Sequence, residues 1–288
     1  MKMKRILSLI FLSWFLFPHM AWGGGPWLWK QFSGFAQIQT NINVRPYDGL
    51  LMSHFRDVSP INRGVFGVDV SVYAEFGILD KLDIMVGLPL KYVATGDITE
   101  AGDASKALPQ GSLFGVSNPL IGLKYGILDG ALKLATSLQF RFNPIRQDLS
   151  KGLSTGYDAL STALFVHIGG SVSSKVYMFF EAGYDLRTNG YSHAILVRFE
   201  VGYNFWGPLT AMVTLNARKS LENGNFDNGN LSQTGLFVND KDWVAGDVKL
   251  MYQSKSGFGV SLATTLIPLY FRYVGFAGAI ALGAHYVW

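Results

Sequence analysis

The chain has 288 residues, 49% of them hydrophobic and only 15% charged, with 33 glycines, 21 phenylalanines, 13 tyrosines and no cysteine. That is too apolar for a disordered chain, and the missing cysteine excludes disulfides, thiol catalysis, cysteine-ligated zinc and a lipid-modified amino-terminal cysteine. A mean hydropathy of +0.22 points to a membrane, yet the only long apolar stretch is at the amino terminus, and helical spans need about 20 apolar residues each, so a polytopic helical protein is excluded.

The formal charge of +4 sits mostly in the first residues. Lys2, Lys4 and Arg5 precede an apolar run over residues 6–17, broken only by Ser8 and Ser13, and Ala21-Trp22-Gly23 follows. A basic region, an apolar core and a small-x-small site make a signal peptide. Residues 1–23 are expected to be cleaved, leaving 24–288 as one domain. The mature chain then has 24 − 3 = 21 basic side chains against 20 acidic ones, which removes the ground for a nucleic-acid partner.

From Gly24 onward apolar side chains fall on alternate positions, the period of a strand. The first such segment, 32–42, has a polar face of Ser33, Gln37, Gln39 and Asn41. The next two are clear: Phe66, Val68, Val70, Val72, Ala74 and Phe76, then Leu82, Ile84, Val86, Leu88, Leu90 and Tyr92. A weaker one runs about 117–127, with Ile121, Leu123, Tyr125 and Ile127 outward. Residues 132–142, 160–168, 176–186, 195–205, 209–217, 244–252, 258–266 and 274–288 complete a set of twelve.

Charge phase separates a transmembrane barrel from a soluble sandwich. Six strands carry an interior pair: Asp69/Glu75, Asp83/Lys91, Lys133/Arg141, Glu181/Asp185, Arg198/Glu200 and Asp247/Lys249. Every pair shares one phase, opposite the apolar row, which chance would give roughly one time in sixty. Lys or Arg at a bilayer midplane costs about 2–4 kcal/mol, so one charge-free face is what lipid selects. The segments are also about twice the ~5–6 residues of an ordinary strand and suit a tilted span.

Connections alternate in length. Residues 77–81, 128–131, 170–175, 206–208 and 253–257 are short; 45–61, 96–112, 143–156, 187–193, 219–241 and 267–273 are long. Outer-membrane barrels have short periplasmic turns and longer external loops, which predicts both termini in the periplasm of a Gram-negative bacterium. Two turns repeat: Phe76-Gly77-Ile78-Leu79-Asp80 and Tyr125-Gly126-Ile127-Leu128-Asp129, an aromatic residue followed by Gly/Asp hairpin chemistry. Aromatic girdles are expected: Phe76, Tyr125, Tyr203, Phe205, Tyr252, Phe258, Tyr286 and Trp288 at the turn end, and Phe66, Tyr92, Phe142, Tyr184 and Phe276 at the other. The last strand, ending in Trp288, resembles the signal read by barrel-assembly machinery, so that machinery and outer-membrane lipid are the expected partners besides a small-molecule solute.

The stretch Val72-Tyr73-Ala74-Glu75-Phe76-Gly77-Ile78-Leu79-Asp80-Lys81-Leu82-Asp83, with Gly87-Leu88-Pro89-Leu90 beyond it, resembles the outer-membrane family named for the meta-cleavage pathway of phenol degradation. Gly122-Leu123-Lys124-Tyr125-Gly126-Ile127-Leu128 is similar to that family's next hairpin, and the resemblance covers about a third of the chain. It implies an uptake channel for small hydrophobic or aromatic molecules, distantly similar to long-chain fatty-acid transporters. Those larger proteins carry an amino-terminal hatch, whereas here only residues 24–31 precede the first strand.

The inward row offers the channel-lining candidates: the acids Asp69, Glu75, Asp83, Glu181, Asp185, Glu200 and Asp247, and the bases Lys91, Lys124, Lys133, Arg141, Arg198, Arg218 and Lys249. Balanced charge fits either a salt-bridged filling or a solute path, and twelve strands lie between the filled eight-stranded barrel and the open porin. His167 and His285 face inward as filling, without the carboxylate spacing of a metal site; His54 falls in a loop and His19 leaves with the signal. Ser192-His193 is too close in sequence for a nucleophile and its base, since neighbouring strand side chains point apart. The Gly/Asn-rich residues 223–230 lack the full calcium-loop pattern and read as an external loop. The expectation is therefore an all-β, transmembrane, antiparallel up-and-down β-barrel of about 12 strands, without cofactor or metal, acting as an outer-membrane channel or transporter. A non-conducting barrel presenting loops for adhesion or binding is the alternative, and a lipid-acting enzyme a third.

Overall fold

Twelve antiparallel strands close into a barrel in the computed structural model, which describes residues 24–43, 46–53, 57–272, 274–275 and 278–288. In chain order they are β1 (Gly34–Asn43, continued as Tyr47–Ser53), β2 (Asp57–Leu79), β3 (Leu82–Ile98), β4 (Gly111–Val116 and Leu120–Asp129), β5 (Leu132–Arg141) and β6 (Ser161–Ser171). Then come β7 (Val176–Arg187), β8 (Ala194–Trp206), β9 (Leu209–Ser220), β10 (Asp242–Gln253), β11 (Phe258–Arg272) and β12 (Val274–Gly275 and Ala279–Val287). Each pairs with its sequence neighbour, and β1 pairs with β12 from Phe35↔Val287 to Asn43↔Ala279, which closes the sheet. Among the described residues no helix is long and apolar enough to cross a membrane.

All twelve expected segments fall in strands. The strand expected from about 117 is interrupted at Ser117-Asn118-Pro119, because Pro119 lacks the N–H a ladder needs. Residues 45–61 and 267–273, expected as loops, are largely strand: Leu50 faces Ser59 and Leu51 faces Val58, and β11 runs to Arg272. β2 has 23 residues, more than twice the ~9–11 that span a bilayer. The surplus stands beyond the hydrocarbon, where backbone pairing continues although apolar alternation has stopped. The expected signal at residues 1–23, with His19, and also His54 and Phe276, lie outside the described residues.

The barrel is apolar outside and polar inside. Val86, Leu138, Leu164 and Leu262 are exposed on the outward row, while Glu75, Asp83, Lys124, His167 and Glu200 are buried on the inward one. Exposed Tyr125, Tyr252, Phe258 and the stacked pairs Tyr203/Phe205 and Tyr286/Trp288 ring the short-turn end; Tyr92, Phe142 and Tyr184 lie toward the other. Both barrel ends of the chain are at the short-turn end, where Gly34 and Trp288 exchange backbone hydrogen bonds.

Loops close the opposite mouth. Tyr47, Leu50, Ile61, Val65 and Val93 of the extended strands form one buried cluster with Leu153 and Leu236 of the two longest loops. Tyr47 Oη donates to the Thr234 carbonyl at 2.6 Å, Thr234 Oγ1 to the Gly152 carbonyl at 2.6 Å, and Asn230 Nδ2 to the Leu149 carbonyl at 2.9 Å. Burying each such Leu or Val stabilises by about 1.5–3 kcal/mol, so these loops form a packed cap over the barrel.

The lipid-facing assignment is testable at Val86 and Leu138. Spin labels there should collide with oxygen dissolved in acyl chains and be shielded from water-soluble nickel complexes, and arginine at either site should cost about 2–4 kcal/mol of folding stability in vesicles. Labels that report water would sink the assignment.

Candidate functional site

The chain ahead of β1 turns into the barrel. Trp27 packs edge-on against Tyr177 and Phe179 of β7, with ring centroids 5.4 and 5.7 Å away. Trp29 stacks on Phe35, its backbone N–H donates to both carboxylate oxygens of Asp83 (3.3 and 3.2 Å), and its indole Nε1 donates to Glu75 at 3.1 Å. Lys124 completes the knot: its Nζ lies 2.9 Å from Glu75 and 3.6 Å from Asp83, and all three side chains are at most 2% exposed. Tyr73 Oη adds a 2.6 Å hydrogen bond to Glu75. Residues 24–29 are thus a short plug across the turn end, much smaller than a folded hatch.

The repeated hairpins make room for it. A Cβ on Gly77 would stand 2.4 Å from the Lys30 carbonyl oxygen, and one on Gly126 would stand 2.4 Å from Leu28 Cδ1. Both glycines lie inside strands, with the turns two or more residues later. Beyond hairpin chemistry, close passage of the Trp29–Lys30 backbone requires glycine at 77, whereas at 126 only the flexible end of Leu28 would have to shift.

Above the plug the walls are cross-linked. Arg198 meets Glu200 at 2.5 Å, and Glu200 also accepts from Tyr177 Oη (2.8 Å) and Thr214 Oγ1 (3.1 Å). Asp247 accepts from Asn216 Nδ2 at 2.7 Å and Thr265 Oγ1 at 2.8 Å. On β5, β6 and β7, Ser137 Oγ is 2.8 Å from His167 Nε2, and His167 Nδ1 is 3.0 Å from Glu181. This has the hydrogen-bond order of a hydrolase triad. Ser137, however, is 1% exposed, so the line lacks an accessible nucleophile. It ties three strands together. Ser192 and His193 part as expected: Ser192 Oγ donates to Asp240 at 2.6 Å, while His193 meets Tyr184 at 3.1 Å.

Under the loop cap is a cationic cluster. Arg141, Arg187 and Arg218 each approach the Asp185 carboxylate to 3.6 Å. Arg187 and Arg218 lie over the Tyr157 ring at 4.7 and 5.6 Å. Asn118, in the gap of β4, holds Tyr157 there by donating to its carbonyl and accepting from its N–H, both at 2.8 Å. Burial pushes the Tyr157 phenol up, but Arg218, Lys241 and Arg187 outweigh this and bring it below its ordinary value. Lys241, in the loop before β10, is held below the usual lysine range by burial, with Lys91 and Arg218 adding to the effect.

Two cavities lie in series. One of about 500 Å³ lies above the plug, lined by Glu75, Lys124, Glu200, Asp247 and Lys249 among others. The second, of about 380 Å³, lies under the cap, lined by Arg141, Asp185, Arg187 and Arg218 beside Phe165, Leu196 and Trp243. Glu181, Arg198 and Asn216 line both. Four of the fourteen sequence candidates line neither: Asp69 and Lys91 pair with each other at 2.5 Å, Lys133 pairs with Asp129 at the turn rim, and Asp83 is under the plug. Sequence reasoning missed Trp27, Trp29, Tyr157 and Arg187, because none lies within an alternating segment. The Gly-Gly-Pro-Trp-Leu-Trp string of residues 24–29, too apolar for a free leader end, was the available signal. Among the described residues no group of three or more His, Asp or Glu is arranged to hold a metal ion.

No family model matches the chain, and no curated protein matches it. Among solved structures it is similar to an outer membrane channel from Pseudomonas putida F1, with a TM-score of 0.68 at 11% identity, covering 94% of this chain and 100% of that one. The KdgM porin gives 0.51 at 6% identity, covering 88% of this chain and 98% of that one. At these identities the likeness is one of fold, the closed barrel of outer-membrane channels and porins.

The knot under the plug gives a prediction. Lys124→Met should destabilise the barrel by about 3–5 kcal/mol, because two buried carboxylates lose their counter-charge. Adding Glu75→Gln and Asp83→Asn should restore much of it, read as urea midpoints in vesicles; equal midpoints for the single and triple variants would contradict the pairing.

Proposed function

We propose that this protein is an outer-membrane channel of a Gram-negative bacterium admitting small solutes of hydrophobic or aromatic character. Residues 1–23 act as a cleaved export signal, assembly machinery reads the last strand ending in Trp288, and both termini and the short turns face the periplasm. The observation that carries the reading is the pair of cavities inside the barrel that share Glu181, Arg198 and Asn216 in their linings, with a six-residue plug at one end and a cap of loops at the other. A lumen meant only as filling would bring its side chains together; this one leaves room between Lys249, Asp247 and Glu200.

The charged inward residues that line the cavities, with Arg187, form the proposed path. The hydrophobic or aromatic character of the solute is supported by the resemblance at residues 72–90 and by Phe165, Leu196 and Trp243 in the lining of the cap-side cavity. The fold shared with the Pseudomonas putida channel agrees with transport. The rival reading, an anchor that displays loops, is disfavoured because Leu153, Leu231, Leu236 and Val238 are turned into the cap.

Planar bilayers and proteoliposomes test the proposal. Folded wild-type protein should give small discrete openings and slow swelling. Trp27→Ala with Trp29→Ala, which removes the ring contacts and the Glu75 hydrogen bond of the plug, should raise conductance several-fold. Silence from both proteins would count for the anchor.

A further inference from the structure

At the loop end of the lumen three guanidinium groups converge on one carboxylate. Arg141 Nη1, Arg187 Nε and Arg218 Nη2 stand 3.6 Å from Asp185, beyond the ~2.7–2.9 Å of a charge-assisted hydrogen bond. Asp185 also accepts from Ser161 Oγ. Arg187 Nε and Nη1 and Arg218 Nε and Nη2 are buried without a hydrogen-bond partner, in side chains that are 2% and 10% exposed. The neighbouring charges are engaged elsewhere: Arg198 with Glu200, Glu181 with His167, and Asp242 with Lys219 and Arg272. Lys241 donates to the Gly235 carbonyl. Three positive groups against one negative leave two in excess, and the Tyr157 ring offsets only part of that.

Buried cations without partners are costly, and these line a chamber with apolar side chains beside them. The cavity of about 380 Å³, within the ~300–1,000 Å³ range of small-molecule sites, is also lined by Phe165, Leu196 and Trp243, and Leu196 and Trp243 flank Arg218 in register on the two neighbouring strands. We infer that this chamber binds a small solute with one carboxylate on a compact apolar or aromatic body. The carboxylate takes the free donors of Arg187 and Arg218, whose planar forks match its two oxygens, and the body lies against Phe165 and Trp243. This rests on the channel reading for how the solute arrives, and it narrows the solute class to apolar acids.

Calorimetric titration of the folded full chain in micelles at pH 7 tests the inference, with benzoate, benzyl alcohol and inorganic phosphate as probes. Benzoate should bind at least about tenfold more tightly than either of the others, and Arg187→Gln or Arg218→Gln should each weaken it about tenfold. Lys255→Gln, on an exposed turn, should leave it unchanged. Heat-modifiable migration on gels checks folding; if an arginine variant does not fold, the wild-type comparison decides. Benzoate binding no tighter than benzyl alcohol, phosphate binding as tightly as benzoate, or folded arginine variants with unchanged affinity would overturn the site. Benzoate binding in a barrel that never conducts would keep the site and sink the channel, whereas a conducting barrel indifferent to benzoate would do the reverse.

Discussion

Hydrocarbon offers a backbone amide no partner, so every strand that crosses it must be paired on both edges. The ladder between β1 and β12 meets that demand by joining the two ends of the chain. Everything else depends on closure. It gives each strand one face toward lipid and one toward an enclosed space, and it forces the charged row, excluded from lipid, to be accommodated inside. An open sheet of the same strands would expose two unpaired edges.

Confinement then dictates how the interior charges behave. Glu75, Asp83 and Lys124 are almost fully buried, and such groups persist only when paired and hydrogen-bonded. The plug supplies part of that satisfaction, since the Trp29 backbone and indole donate to the same two carboxylates. Plug and wall are thus one polar network, and removing either exposes a cost in the other. At the far end the apolar cluster around Leu153 and Leu236 is the main hold on the loops over the mouth, with Glu222 pairing to Lys219 and Arg272 at its edge. The two closures differ in chemistry, which separates their responses to salt and to cavity-making substitutions.

Much of the barrel was legible in residues taken singly. The phase of Asp69/Glu75 and Arg198/Glu200 against their apolar rows located lumen and lipid, and the rows ending at Tyr203 and Trp288 located the turn-end interface. Less legible was anything outside the period of two. Pairing continues beyond the membrane in β2 without an apolar stripe to announce it, and Tyr157 lines the cap-side cavity from a loop whose sequence reads as external. Gly77 carried a true signal with a different cause, close passage of another segment's backbone in place of a turn.

The sequence by itself determined strand number, the lipid-facing side and the near-equality of inward acids and bases, because each follows from a local alternation that any closed sheet must obey. Only the tertiary structure decided how that balance is distributed along the axis. Glu75, Glu200 and Asp247 face the turn-side cavity, whereas Arg141, Arg187 and Arg218 gather around Asp185 under the loops. Strand register brings these side chains together, and a net charge of nearly zero becomes a nearly balanced turn-side chamber, where Lys124, Arg198 and Lys249 face the acids, and a cationic one under the cap.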